Sequence, residues 1–150
     1  MSFDKLRMSG RFAFWESAMS NSYTLTFTAG PEHIDFNGHV NNMVWLQWVQ
    51  DIATAHWEAV ACAEHQAAYV WFVLRHEIDY RGNIVAGEQV TARTFIPDPP
   101  QGARFVRCVD FTNAAGKVIV QVRSTWAMID KATGRPLRIT PEVAAPFLAG

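Results

Sequence analysis

A chain of 150 residues, 49% hydrophobic and only 18% charged, carries enough apolar material for one packed domain and too few charges for a disordered segment. A formal net charge of -1 excludes a field that gathers polyanions, so nucleic acid is not an expected partner. Two cysteines, Cys62 and Cys108, make neither a disulfide framework nor a zinc cluster and read as buried, reduced thiols.

Residues 1–22 contain Lys5, Arg7 and Arg11 without a continuous apolar run or a cleavage signal, and read as an N-terminal extension. No stretch has the uninterrupted length of a membrane-spanning helix, and the expected location is the cytoplasm. The domain itself is expected over 23–138. Its first strand is Tyr23 to Ala29, which alternates, is rich in threonine and aromatic residues, and stops at Gly30-Pro31.

The segment Asp35-Phe36-Asn37-Gly38-His39-Val40-Asn41-Asn42 then leads into an apolar run from Met43 to Cys62. In that run Leu46, Val49, Ala53, Trp57 and Val60 recur at helical spacing, and Trp45, Trp48 and Ile52 widen the apolar surface beyond one stripe. Such a helix must be covered on several sides. Asn41 or Asn42 suits its N-cap, and the first amides after a cap have no intrahelical acceptor. Together with the positive end of the helix dipole, they make a place where a thioester or ester oxygen is polarised. Gly38 permits a positive φ or a close backbone approach, and Asp35 would lie on the loop beside the opening. The same spacing also describes an ordinary capped helix after a solvated Asx turn, the commoner case for such clusters.

Four further strands are predicted at Trp71 to Tyr80, Gln89 to Ile96, Ala103 to Thr112 and Val118 to Asp130. Between them lie Gly82-Asn83, Gly87, the segment Pro97 to Gly102, and Asn113 to Gly116, with no second convincing helix. Short loops favour antiparallel neighbours. The expected architecture is α+β, one curved antiparallel sheet of about five strands wrapped around one long central helix. Asp130 to Gly134 reads as a turn, and Pro136, Pro141 and Pro146 predict a loosely structured tail over 139–150.

The first strand, the turn from Asp35 to Asn42, the long helix, Asp79-Tyr80 and Gly87-Glu88-Gln89-Val90 together resemble the hotdog-fold acyl-CoA thioesterases. The branch resembled is typified by 4-hydroxybenzoyl-CoA thioesterase, and the resemblance covers roughly Tyr23 to Pro136. It implies a hydrolase that cleaves an acyl-CoA thioester to a carboxylic acid and CoA. Asp35 would act as nucleophile or general base, and an amide at Asn42 or Asn41 would polarise the carbonyl. A thiolate leaves readily, so one carboxylate and fixed N–H donors suffice without a catalytic triad. The resemblance further implies a homodimer or homotetramer with sites between subunits. No cofactor is implied, because coenzyme A is part of the substrate, and acyl carrier protein is the alternative carrier.

His39 reads two ways, as a contact to substrate or Asp35 and as a tie to neighbouring backbone. His33 stands where relatives often carry another acidic residue. His33, Asp35 and His39 lack a distant further ligand, so no metal site is expected. Asp51 and Glu58 are reserve carboxylates only, since the thioesterase branch that draws its carboxylate from this helix carries a His-Gly-Gly motif that is absent here. His56, in the same helix, needs a partner if buried. Arg104, Arg107, Arg123, Lys131, Arg135 and Arg138 are the cations available to CoA phosphates; Arg104, at a strand entry, and Arg135, in the terminal turn, are the better candidates. Trp45, Trp48, Trp57, Trp71 and Phe72 read as core and interface. Two other functions remain open at this level: an enoyl-thioester hydratase or dehydratase using Asp35 and His39, and a noncatalytic acyl-thioester binding module.

Overall fold

The computed structural model describes residues 21–148, so the expected N-terminal extension falls almost wholly outside the described residues. Five strands, β1 (Tyr23–Thr28), β2 (Tyr69–Tyr80), β3 (Gln89–Phe95), β4 (Arg104–Asn113) and β5 (Val118–Asp130), form one sheet in the order β1-β3-β4-β5-β2. All four pairings are antiparallel. Helix α1 (Asn42–Val60) packs on the inner face, followed by α2 (Ala63–Ala68); α3 (Pro141–Ala144) comes after β5 and runs into a 3-10 turn, Ala145–Phe147. The expected sheet-around-helix architecture is therefore present.

Alternation decides which side chains meet the helix. On β4 the buried positions are Phe105, Arg107, Val109 and Phe111, and on β3 they are Val90, Ala92 and Thr94. From α1, Trp45, Trp48, Val49, Ile52, Ala53 and His56 are buried, the wide apolar face its sequence predicts. Trp45 meets Phe111 edge-on with centroids 5.0 Å apart, and Trp48 stacks on Phe27 at 5.1 Å. Full burial of a side chain such as Ile52 stabilises the fold by about 2 kcal/mol.

The strand register gives the sheet two distinct ends. Thr28, Gln89, Asn113, Val118 and Tyr80 lie at one, where α1 begins; Tyr23, Phe95, Arg104, Asp130 and Tyr69 lie at the other, where α1 ends. β2 and β1 are the two edges. β2 is the longer, bulges between Val73 and Arg75, and exposes Phe72 and Leu74.

The C-terminal segment departs from its predicted looseness. Thr140 caps α3 by accepting from Val143 N at 3.3 Å, and Pro141 occupies the first turn, where its fixed φ starts a helix. Ile139, Val143, Ala144 and Phe147 are thereby buried against Ile96, Phe105 and Met128 at the far end of α1. Here the prolines initiate structure. The short α2 was likewise not foreseen, and its N-cap residue Cys62 is exposed while Cys108 is half-buried, which corrects the reading of two buried cysteines; both are free thiols. No helix among the described residues is long and apolar enough to cross a membrane.

Candidate active site

Asp35 sits at the base of a tight excursion closed by an isolated bridge between Ile34 and Val40. Its N–H donates to His39 O at 3.0 Å, its carbonyl accepts from Gly38 N at 3.0 Å, and its Oδ1 accepts from Asn37 N at 2.9 Å. This is the Asx turn that the sequence allowed. It requires φ of 84° at Gly38, a conformation that costs glycine little. Buried Val40 anchors the loop: its N–H donates to Ile84 O at 3.2 Å, and its carbonyl accepts from Asn83 Nδ2 at 3.2 Å. Asp35 is half-buried, while Phe36 at the tip is 98% exposed. Asp35 Oδ2 takes no part in the turn.

Accounting for the first helical turn separates the two asparagines. Asn41 N–H donates to His33 O at 2.9 Å, and Asn41 Oδ1 accepts from Met43 N at 2.9 Å, which makes Asn41 the N-cap. Val44 N donates to Asn41 O at 2.9 Å. The Asn42 N–H is left without an acceptor among the described residues, exposed at the positive end of a 19-residue helix. Asn42 follows Asp35 by seven residues, and the anchored loop holds the two at the same end of the sheet. A carboxylate at the same end of the fold as an unused, oriented N–H supplies the two kinds of group needed to attack and polarise a carbonyl.

The other sequence candidates have plain positions. The backbone oxygen of His39 holds Asp35 N–H, and its ring is exposed. His33 Nδ1 accepts from Gly30 N at 2.9 Å and its ring lies edge-on to Trp48. Asp51 is exposed and bonded to Gln47 at 2.8 Å, and Glu58 is exposed farther along α1. Arg104, exposed at the start of β4, and Arg135, in the turn after β5, lie at the opposite end of the sheet from Asp35. Nine residues of extended chain separate Arg104 from Asn113, roughly 30 Å, so one protomer does not bring the arginines to the carboxylate. Among the described residues no three His, Cys, Asp or Glu side chains group as a metal site.

One arrangement escaped the sequence reading, which counted Arg107 among the solvated late cations. Arg107 is 8% exposed; its Nη1 donates to His56 Nδ1 at 2.9 Å and to Thr94 Oγ1 at 3.0 Å. A guanidinium only donates, so His56 accepts through Nδ1 and is neutral with its proton on Nε2. Burial, then the Arg107 charge, lowers the His56 pKa to about 4, against a smaller opposing effect of the Asn21 backbone. Burial also lowers Arg107 to about 10, which leaves it a cation at neutral pH. The signal was the inward phase of Phe105, Val109 and Phe111, which places Arg107 on the core face. Arg107 lines a cavity of about 380 Å³ with Trp57, Trp71, Phe105 and Trp126, at the end of the sheet remote from Asp35.

The profile of the thioesterase-like superfamily matches residues 29–147. No curated protein matches the chain. Among solved structures, an acyl-ACP thioesterase from Bacteroides thetaiotaomicron superposes with a TM-score of 0.77 at 23% identity over 89% of this chain and 56% of its own. The chain thus spans little more than half the length of that enzyme. A protein of Staphylococcus aureus in complex with CoA gives 0.75 at 19% identity, covering 83% of this chain and 80% of that one. A predicted thioesterase from Bacillus stearothermophilus gives 0.72 at 21% identity, covering 84% and 93%. These likenesses identify the sheet and helix as the hotdog fold.

Proposed function

The chain belongs to the thioesterase-like superfamily, a group of thioester hydrolases, and we propose that it hydrolyses an acyl-CoA thioester in the manner of the 4-hydroxybenzoyl-CoA thioesterase branch. The observation that carries this reading is the free Asn42 N–H at the helix start, on the same end as the Asp35 carboxylate. In the proposed reaction the thioester oxygen accepts from Asn42 N–H, where the developing negative charge also meets the helix dipole. Asp35 either attacks the carbonyl carbon or takes a proton from the water that does. In either case the C–S bond breaks and CoA leaves as a thiolate that is protonated; where Asp35 attacks, water then hydrolyses the acyl–Asp35 anhydride, and in both routes the acid departs with an oxygen from water. Water is the co-substrate and no cofactor is called for. Asn41 and Gly38 act by shaping the helix start and the turn, and the exposed His39 ring borders the entrance.

The proposed assembly is a homodimer, with a tetramer as its extension. Long edge strand β2, with exposed Phe72 and Leu74, is suited to pair with its own copy. An antiparallel β2 pair would set the Asp35 end of one protomer beside the Arg104 and Arg135 end of the other. That supports a role for the two arginines on CoA phosphates across the interface. The setting proposed is cytoplasmic, with acyl carrier protein as the alternative carrier of the thioester. Thiol release from a panel of acyl-CoA and acyl-carrier-protein thioesters tests the assignment. Release of free thiol from a CoA thioester supports it, and binding without turnover overturns it.

A further inference from the structure

We propose that the cavity beside the C-terminal half of α1 is a site for a small organic carboxylate. Its apolar body would lie among Trp57, Trp71, Phe105 and Trp126, with its carboxylate on the Arg107 guanidinium. Arg107 is held on the core face of β4 between Phe105 and Val109, where the neighbouring inward positions are apolar. Its hydrogen-bond partners, His56 Nδ1 and Thr94 Oγ1, are neutral acceptors. The ion pairs among the described residues involve His33, Arg75 and Arg81, and none reaches Arg107. A cation buried without a counter-ion is costly to fold, and proteins that bury arginine normally supply a carboxylate or phosphate. Among the described residues, the wall that lacks a counter-ion opens on a cavity.

The cavity has the size and lining of a ligand site. Its volume of about 380 Å³ falls in the range of small-molecule pockets, with aromatic walls on one side and Gln50, Thr54, Gln66 and Arg107 among its polar groups. Glu58 also lines it but is exposed, and Lys131, exposed as well, donates its Nζ to Gln66 O at 2.9 Å. Neither neutralises Arg107. A planar carboxylate matches the guanidinium fork, and the aromatic walls suit a compact apolar body better than a sugar or a phosphate ester.

Two sources present this chemistry: a free carboxylic acid, and the distal carboxylate of an acyl group whose thioester lies at the Asp35 end of a second copy paired along β2. Only the second rests on the hydrolase reading above. Binding to the full-length protein is therefore measured first, with phenylacetate and its neutral isostere phenylacetamide as probes, by tryptophan fluorescence and calorimetry. Phenylacetate should bind at least about tenfold more tightly than the amide, the scale of one charge-assisted hydrogen bond. Arg107→Gln should abolish the difference, and Arg107→Lys should retain part of it. Ala53→Leu, which adds bulk at a cavity-lining position, should weaken both probes and serves if Arg107→Gln fails to fold. The kcat/KM ratio of adipoyl-CoA to hexanoyl-CoA is then compared in wild type and Arg107→Gln. A ratio that falls in the variant identifies the acyl tail as the source, and carboxylate-selective binding with an unchanged ratio identifies a free acid; both support the site. Carboxylate selectivity in a protein inert toward every CoA thioester would sink the hydrolase reading and leave the site standing. Equal or undetectable binding of both probes, together with a ratio insensitive to Arg107, overturns the proposal.

Discussion

The His56–Arg107 contact predicts how the fold responds to acid. His56 is 1% exposed, and its pKa in the folded chain is about 4 against 6.5 when exposed. Between those values the unfolded chain binds a proton that the folded chain refuses, so stability falls as pH drops from 6.5 to 4 and is unaffected above that window. A depression of about 2.5 units at about 1.4 kcal/mol each gives a loss on the order of 3 kcal/mol by pH 4. Urea unfolding of wild type and His56→Gln at pH 7 and pH 4 isolates this contribution, because the carboxylates titrate alike in both and only one carries the imidazole. Wild type should lose about 3 kcal/mol more than the variant over that interval. Burial is the larger cause, so Arg107→Met should relieve only the smaller part of the depression when the His56 ring is titrated by NMR. Parallel stability curves for wild type and His56→Gln, or a His56 pKa near 6.5, would mean that burial of the neutral ring does not set the acid response.

Gly38→Ala should cost about 1 kcal/mol and lower turnover, because φ of 84° strains any other residue although open space surrounds the position; denaturant unfolding and thiol release check both. Sedimentation at micromolar concentration should find an oligomer, and Leu74→Lys on the exposed β2 edge should shift it toward monomer with loss of activity. A wild-type monomer across that range would remove the shared site. Arg104→Ala and Arg135→Ala should raise KM for acyl-CoA by about tenfold while changing a truncated thioester lacking the nucleotide little. Equal effects on the two substrates would end the phosphate assignment.

Much of the architecture was legible because periodicity carries it. The alternation of Tyr23 to Thr28 and the helical recurrence from Leu46 to Trp57 each follow from one face meeting one core. The Asp35 turn was legible because Gly38 and the asparagines carry local conformational preferences. Which asparagine caps the helix was not, since only the donor inventory of Asn41, Met43 and Val44 leaves Asn42 free. The helix at Pro141 was missed because a proline was read as a breaker, whereas Thr140 before it supplies a cap. Arg107 was missed for a different reason: its residue type argued for solvent more strongly than its place between Phe105 and Val109 argued for the core. Cys62 was assigned to the core by type alone, although α1 had already ended at Val60.

If the Asp35 carboxylate drives thioester hydrolysis at the start of α1, removing its charge alone should remove the activity. Asp35→Asn keeps an oxygen able to accept from Asn37 N, so the turn should survive while the negative charge and basicity are lost. The direct measurement is kcat/KM for CoA release by this variant and by wild type, on the best substrate of the acyl-CoA panel, with circular dichroism and Tm compared. Asp35→Asn should lose at least about two orders of magnitude in kcat/KM with folding unchanged. A well-folded Asp35→Asn enzyme turning over at near the wild-type rate would contradict that role of the carboxylate.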